Sequence, residues 1–562
     1  MLFESVRRIG TAALLTAAIA VDGRAHAQSS QGASVSKQET TSSEGASNPG
    51  QPSTEAGTTQ STSPQKSDAV TYSRPPTSFQ RPVPGTHRFL EPKPGKGTTL
   101  FTPGGEVTIY GNLDLSFDGT TKGISGFTAP TTGEPTPAGN GGWMPALSTN
   151  LSYIGVRGFV SLADYLDFIY QLETQLDVAA TAGTPNTNSN AGTVVRGALT
   201  SRNSYVGLSS PWGALKIGKT DAPYKLATAR MNPFSGMIGD YQVVMGNTGG
   251  DNRVEFGTRL DHSIWIESPT IFGVSFSALY SPGQNRSDFS DNIAAGASDC
   301  AGGNIPGSGG TGGPNSSVPG APIACNDGGF SDAFSLAATY LGGPIYAFAA
   351  YERHQKVNRN SDIYAIYAVF PLPAAVAGYD TADVAAEDAM KFGALITLPT
   401  KTEIGGFFER MHRYVPSIIQ FQNERTRTGV WFVVSQQLTH ADSVHFGWAR
   451  ANPTPGDPGQ HNTANFDVGN GGTAGGPNPD NEANMYTAAI KHQLNPNVLL
   501  YLAWAMTVNH PFAHYDLGAG GRAVTTDCHD ASLPASGDTQ SNPRCWAGGK
   551  LVGFSMGLNG RF

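Results

Sequence analysis

Charged residues are scarce in this chain. Lys, Arg, Asp and Glu make up only 14 % of its 562 residues, and the formal net charge is -8. Proteins that bind nucleic acid carry a basic patch or stripe, and a net negative chain gives no such footprint. The composition therefore excludes nucleic acid as the main partner.

Long apolar runs are missing as well. Beyond the N-terminus the longest nearly unbroken one, residues 498–506, is far shorter than the roughly 20 residues that a membrane-spanning helix needs. Hydrophobic residues make up 38 % of the chain and glycine occurs 70 times, which argues against large buried cores. Any membrane crossing must use strands, and strands satisfy their backbone groups in lipid only as a closed barrel.

The N-terminal region has the composition of a targeting segment followed by a tail. Arg7 and Arg8 precede an apolar run and the small-x-small sequence Ala25-His26-Ala27, so residues 1–27 are predicted to be a signal peptide. Residues 28–105 are rich in Ser, Thr, Gln, Gly and Pro and almost lack periodic apolar residues, which predicts a disordered periplasmic extension. Residues 106–562 form the remaining domain.

Alternation with a period of two dominates that domain. At the end of the chain an apolar face alternates with a face of Gly, Ser, Asn and Arg, and the apolar residues are Val552, Phe554, Met556, Leu558 and Phe562. This is the pattern of a strand between lipid and a water-filled lumen, so the predicted fold is all-β, a transmembrane antiparallel β-barrel. Sixteen such strands are predicted, at 107–117, 151–160, 166–176, 201–209, 214–219, 259–268, 274–281, 332–341, 345–353, 389–398, 404–413, 428–438, 443–451, 485–494, 498–509 and the closing stretch 549–562.

The connections between these strands are alternately short and long. This asymmetry predicts periplasmic turns on one rim and external loops on the other. Residues 363–370 are apolar enough for a strand, but a further strand would make the count odd, so they are assigned to a long loop. The four cysteines suit an oxidising compartment and allow three pairings. Proximity favours Cys300 with Cys325 and Cys528 with Cys545, each pair within one external loop.

Five blocks of this sequence resemble successive strands of Gram-negative general diffusion porins, most closely those of the proteobacterial trimeric type. The blocks are VTIYGNLDLSF at 107–117, YIGVRG at 153–158, SRNSYVGLSSPWGALKIGK at 201–219, RLDHSIWIESP at 259–269 and GFSMGLNGRF at 553–562. The resemblance spans residues 106–562. It implies a sixteen-strand homotrimer in the outer membrane of a Gram-negative bacterium, with the third long loop folded into each barrel as a constriction. It also implies that Phe562, as a terminal aromatic residue facing lipid, belongs to the assembly signal.

The charged residues of the predicted strands give a candidate pore wall. They share parity with small or polar neighbours, opposite to residues such as Tyr205 and Leu260, and are Arg157, Arg202, Lys216 and Arg259. A charge facing lipid at mid-membrane costs roughly 2 to 4 kcal/mol, which favours an inward orientation.

The third long loop, residues 220–258, is the candidate constriction. Its charged residues include Asp221, Arg230, Asp240, Asp251, Arg253 and Glu255. Tyr153 stands where the family commonly has Arg, and the loop tip at residues 233–236 lacks the family's usual acid. The charge pattern of the family therefore cannot be transferred directly.

The resulting hypothesis is an outer-membrane channel for passive diffusion of ions and small hydrophilic solutes, with membrane lipid around it and no cofactor or metal. One alternative is a porin that prefers a particular substrate. Another is a barrel that serves mainly as a surface adhesin or receptor. Catalysis is not expected: residues 553–557 match G-x-S-x-G, but that motif needs an acid and a histidine later in the chain, and only five residues follow Gly557.

Overall fold

The computed structural model describes residues 89–91, 93, 95–127, 139–176, 178–179, 202–246, 256–282, 332–357, 385–414, 426–453, 482–510, 513, 515–518 and 550–562. The predicted signal peptide, the run 363–370 and the cysteines at 300, 325, 528 and 545 lie outside these residues. Among the described residues, no helix is long and apolar enough to cross a membrane.

The described strands form one antiparallel sheet. Their bounds are β1 (Thr98–Thr102), β2 (Gly105–Phe127), β3 (Gly139–Thr149), β4 (Tyr153–Ala163), β5 (Leu166–Gln175), β6 (Ser204–Ser210), β7 (Gly213–Asp221), β8 (Arg259–Glu267), β9 (Val274–Pro282), β10 (Asp332–Gly342), β11 (Ile345–Val357), β12 (Ala385–Thr397), β13 (Thr402–Tyr414), β14 (Arg427–Gln437), β15 (Asp442–Ala451), β16 (Ala483–Asn495), β17 (Val498–Asn509) and β18 (Lys550–Arg561). A one-turn helix, α1 (Pro223–Leu226), and two 3-10 turns, Ala229–Met231 and Tyr241–Val243, lie between β7 and β8.

The sheet closes on itself because the last strand pairs with β2, with Leu558 opposite Leu115. β3 and β4 pair with successive halves of β2, so together they form one barrel strand that is interrupted at residues 150–152. β1 pairs only with the first residues of β2 and occupies the position beyond the end of β18. The barrel therefore has sixteen strand positions, which confirms the predicted fold and count.

Side chains alternate between the two faces of the barrel wall. On β18, Phe554 and Leu558 are about half exposed on the outer face, whereas Ser555 and Asn559 are buried on the inner face. β2 follows the same rule, with Phe117 outside and its aspartates inside. The outer surface is thus suited to hydrocarbon and the inner surface to water.

The short connections lie on one rim. Two to six residues join β4 to β5, β6 to β7, β8 to β9, β10 to β11, β12 to β13, β14 to β15 and β16 to β17. We call this the short-turn rim, and in outer-membrane barrels it is the periplasmic one.

Two predicted boundaries are wrong. β2 continues to Phe127 and β3 begins at Gly139, so the first long loop is shorter than the predicted stretch after residue 117. Phe89 and Leu90, which are buried, and Thr98–Thr102, which pairs with β2, belong with the barrel rather than with the extension. The alternation that marks barrel strands is absent at Phe89, Leu90, Glu91 and Lys93, because these residues contact other protein groups and do not separate lipid from water.

Candidate pore lining

Two of the predicted wall arginines lie on the inner face beside aromatic rings. Arg157, on β4, is 3 % exposed, and its guanidinium lies 5.0 Å from the centre of the Tyr110 ring. Arg202 Nε donates to Glu173 Oε1 at 2.5 Å, and its guanidinium lies 4.7 Å from the Tyr153 ring. Cation–π contacts and a charge-assisted hydrogen bond therefore hold these charges at fixed positions.

The other two predicted wall bases are paired with acids. Lys216 Nζ lies 2.6 Å from Glu267 Oε1. Arg259 Nη2 lies 3.3 Å from Asp221 Oδ1, and its Nε donates to Asn203 Oδ1 at 2.6 Å. Because acids stand beside these bases, the inner wall carries a mixed field rather than a purely positive one.

Two of the neighbours used to orient the wall bases, Tyr205 and Leu260, lie on the opposite face from the predicted one. Tyr205 is buried on the inner face, and Val206 faces outward. Arg202 precedes the first residue of β6, so a bend in the chain, not strand alternation, brings it inward. Leu260 is fully buried, because the β7–β8 register shifts nearby and His262 has a φ of 51°.

The third long loop packs against inward-facing side chains of β10 to β17. The Tyr224 hydroxyl donates to Glu409 Oε1 at 2.7 Å, and Trp431 Nε1 donates to the Met231 carbonyl at 2.9 Å. Gly239 has a φ of 74°, and a Cβ there would lie 2.3 Å from Thr487 Oγ1, so only glycine allows the loop to approach β16 this closely. The described part of the loop thus covers one side of the lumen.

The charged residues of this loop differ in their surroundings. Asp221 also pairs with Lys225 Nζ at 2.9 Å. Asp240 is buried, and its carboxylate accepts hydrogen bonds from the Gly236 and Gln242 backbone amides and the Asn232 side chain. Burial raises the pKa of Asp240 above its usual range although these donors oppose the rise. Its hydrogen bonds hold the fold of the loop.

Arg230 is exposed, and its guanidinium lies 5.4 Å from the ring centre of Tyr346. Asp251, Arg253 and Glu255 lie outside the described residues. Of the predicted constriction residues that are described, Arg230 is therefore the one on an exposed surface of the loop.

A polar network that was not predicted from the sequence lies where β2 meets β18, the first and last strands of the barrel. Asp114 accepts hydrogen bonds from the Tyr501 hydroxyl at 2.8 Å and from Asn559 Nδ2 at 3.1 Å. Asn150 Nδ2 donates to the Tyr501 hydroxyl at 2.8 Å, and Asn559 Nδ2 also donates to Asn112 Oδ1 at 2.9 Å. The alternation placed Asn112, Asp114 and Asn559 inside, but only the strand register brings them together with Tyr501 and Asn150.

Glu91 also contacts the inner wall, although the sequence pattern placed it in the extension. Glu91 Oε1 accepts from Asn203 Nδ2 at 2.9 Å, and Oε2 accepts from Gln171 Nε2 at 3.3 Å. Its backbone carbonyl accepts from Arg157 Nη1. A residue upstream of the barrel therefore contacts the inner wall directly.

A closed antiparallel barrel with an apolar exterior, a charged interior and a loop packed inside it is the architecture of outer-membrane pore proteins. The family model described as Gram-negative porin matches residues 99–510, and the chain belongs to this family. It is accordingly a porin channel of the outer membrane of a Gram-negative bacterium. The comparison with curated proteins found no significant match.

The chain is also similar to solved structures of outer-membrane proteins, and the first one named here shares its fold. The anion-selective porin from Comamonas acidovorans is 14 % identical with a TM-score of 0.51, and the alignment covers 82 % of this chain and 100 % of that one. OmpF from Salmonella typhi, solved with daunomycin, is 13 % identical with a TM-score of 0.46, covering 83 % and 100 %. The outer-membrane channel DcaP from Acinetobacter baumannii is 9 % identical with a TM-score of 0.43, covering 82 % and 98 %.

Proposed function

We propose that the protein conducts ions and small hydrophilic solutes passively, down their gradients and without bond chemistry. The observation that carries this proposal is the inner wall. It is lined with charged and polar side chains that are fixed by hydrogen bonds and ring contacts, while the outer face of the same strands is apolar. Such a wall favours water and hydrated solutes over lipid inside the barrel.

The test is the conductance of the purified full-length protein in planar bilayers. Stable conductance steps that scale with salt concentration are expected. Absence of steps from folded, inserted protein would contradict the channel and favour the adhesin or receptor alternative.

A substrate-preferring porin is the second candidate, and one feature favours it. Tyr110, Tyr153 and Tyr205 line one arc of the inner wall, each within about 5 Å of a cationic group. Aromatic and cationic side chains together bind planar or anionic solutes. Block of the conductance that saturates with one solute and not with others would establish this preference.

We further propose that the protein assembles as a homotrimer, on the basis of its resemblance to trimeric porins. Chemical cross-linking in detergent should give a ladder that ends at three chains, and conductance should close in three equal steps. Recovery of single chains alone after cross-linking would contradict the trimer.

A further inference from the structure

Phe89, Leu90, Glu91 and Lys93, which we call the lumen segment, lie inside the barrel. Lys93 Nζ lies 2.6 Å from Glu91 Oε2 and 2.9 Å from Glu173 Oε2. The Glu173 side chain, on β5, is fully buried. With the hydrogen bonds that Asn203 and Gln171 donate to Glu91, this ion-pair chain joins the segment to the inner faces of β5 and the start of β6.

Apolar contacts fix the other end of the segment. Phe89 and Leu90 are each 6 % exposed. Phe89 lines one cavity together with Ser268, from the β8–β9 connection, and the inward-facing Ala337. Phe89 therefore lies inside the barrel near its short-turn rim.

After the segment, Gly95 lies at the junction between β18 and β2. A Cβ on Gly95 would lie 3.2 Å from the Arg561 Cβ and 3.3 Å from the Phe562 nitrogen. Phe89, Glu91 and Gly95 thus lie along the inner wall, near the β8–β9 connection, beside β5 and at the meeting point of β18 and β2, respectively. In the sequence, Glu91 and Lys93 each precede a proline, which biases both residues toward extended conformations and lowers the entropy cost of this path.

The charged part of the lumen segment and the third loop contact different arcs of the wall. The loop contacts β10 to β17, whereas Glu91 contacts β4 and the start of β6. Phe89 shares a cavity with Ala337 on β10, so the apolar end of the segment reaches the edge of the loop's arc. β5 and β13 are the third and eleventh of the sixteen barrel strands, so they face each other across the ring. The two elements also lie at a similar level along the barrel axis. Asn203 Nδ2 donates both to Glu91 and, at 3.2 Å, to Asp221, where the third loop begins.

We propose that the lumen segment forms the second side of the constriction, and that Glu91 and Lys93 are determinants of ion selectivity there. This inference rests on the proposed channel function. The segment narrows the passage by its volume, while its one acid and one base nearly cancel in net charge. Loss of either charge alone should leave an uncompensated charge in a narrow, weakly screened site, where it acts on passing ions more strongly than on an open surface.

Three full-length variants separate volume from charge. Phe89→Ser with Leu90→Ser, the release variant, removes the apolar contacts, so that the segment leaves the wall. Its single-channel conductance should rise roughly 1.5- to 2-fold, because the passage widens. Glu91→Gln should raise the anion-to-cation permeability ratio about twofold, and Lys93→Gln should lower it by a similar factor.

Matched controls come from the short-turn rim, at Lys401 in the β12–β13 connection and at Glu403 near the start of β13. Glu403→Gln and Lys401→Gln remove the same charges there, and neither should change the permeability ratio measurably. Heat-modifiable migration on gels verifies that each variant has a folded barrel.

The outcomes separate the two proposals. If the unmodified protein conducts and the release variant and both charge variants behave like it, the inference is overturned while the channel function stands. If neither the unmodified protein nor the release variant conducts, the channel function fails and the inference fails with it. If the release variant alone conducts, the segment closes the passage completely, which supports its place in the constriction.

Discussion

The contact between Gly111 and Phe562 joins the first and last strands of the barrel. Gly111 N donates to the Phe562 carbonyl at 2.9 Å, and Phe562 N donates to the Gly111 carbonyl at 3.1 Å. The Phe562 ring lies over the glycine, so a Cβ at position 111 would be 2.3 Å from the ring Cζ. A glycine is needed here to leave room for the terminal aromatic ring, which remains 45 % exposed on the outer face.

We expect Gly111→Val to displace that ring and weaken the closing contact. Overpacking of this kind costs about 1 to 3 kcal/mol. The free energy of unfolding in urea, measured in lipid vesicles, should fall by that amount. Gly119→Val is the matched control, since it lies on the same strand and face and its nearest heavy atom, in Trp143, is 4.0 Å away. Equal losses in the two variants would contradict a specific role of the Gly111–Phe562 contact.

The network around Asp114 gives a second prediction at this scale. Asp114→Ala and Asn559→Ala each break the same hydrogen bond between β2 and β18, so their effects on unfolding free energy should not add. A double-mutant cycle should show a coupling of about 1 kcal/mol. Asn452, just after β15, donates a hydrogen bond to Thr428 on β14, and Asn452→Ala should be additive with Asp114→Ala to within about 0.5 kcal/mol. A coupling near zero for Asp114 with Asn559 would contradict a shared network.

At the scale of strands and loops, alternation made the sixteen barrel strands predictable, because each strand separates an apolar exterior from a polar interior. The same signal failed where the backbone leaves strand geometry. Tyr205 and Leu260 were assigned to the wrong face for that reason, and Phe89 and Leu90 pack in the lumen without any alternation. Asp240 accepts backbone hydrogen bonds within a turn, which its charge alone did not reveal.

The lumen segment should respond to pH through its ion pairs. Burial alone would raise the pKa of Glu91, but the Lys93 ammonium holds that pKa below its usual range. Burial lowers the pKa of Lys93, but Glu91 and Glu173 together raise it above its usual range. The charged groups that surround Glu91 are Lys93, Arg157, Glu173, Arg202, Lys216 and Asp221.

The directions of these two pKa shifts define the pH range in which the ion pairs hold the lumen segment. Glu91 stabilises the attachment of the lumen segment above about pH 4.3, its unfolded pKa, and this stabilisation is lost as the pH falls through its lower folded pKa. Lys93 stabilises the attachment below about pH 10.4, and this stabilisation is lost as the pH rises through its higher folded pKa. The conductance difference between the unmodified protein and the release variant should therefore stay constant from about pH 5 to 9 and shrink below about pH 4. A difference that already disappears near neutral pH would contradict the ion-pair anchor.

At the scale of the whole molecule, the wall bases should set the selectivity of the passage. Arg157→Glu together with Arg202→Glu should shift the zero-current potential in a salt gradient toward cation preference, because both positions lie at the inner wall. Arg450→Glu is the control, since Arg450 pairs with Glu482 near the opposite rim and salt screens such a partly exposed site over roughly 10 Å. Equal shifts from the wall pair and the control would exclude these arginines from the constriction.

The interior of the barrel was less predictable than its wall. The resemblance to porins implied that the third long loop folds inward, but its contacts with Glu409, Trp431 and Thr487 depend on residues from distant strands. No local periodicity encodes such contacts. The ion-pair chain of Glu91, Lys93 and Glu173 is equally non-local, because it joins a stretch of biased composition to β5.

The path of the lumen segment has a mechanical consequence. The chain before Phe89 is joined to the barrel in series through Phe89, Leu90 and the ion pairs of Glu91 and Lys93. A tensile load on that part of the chain would therefore reach these contacts before it reached the hydrogen bonds between β1 and β2. The weakest link under tension is then a group of side-chain contacts inside the passage, so the same pull that strains the link would also withdraw material from the lumen.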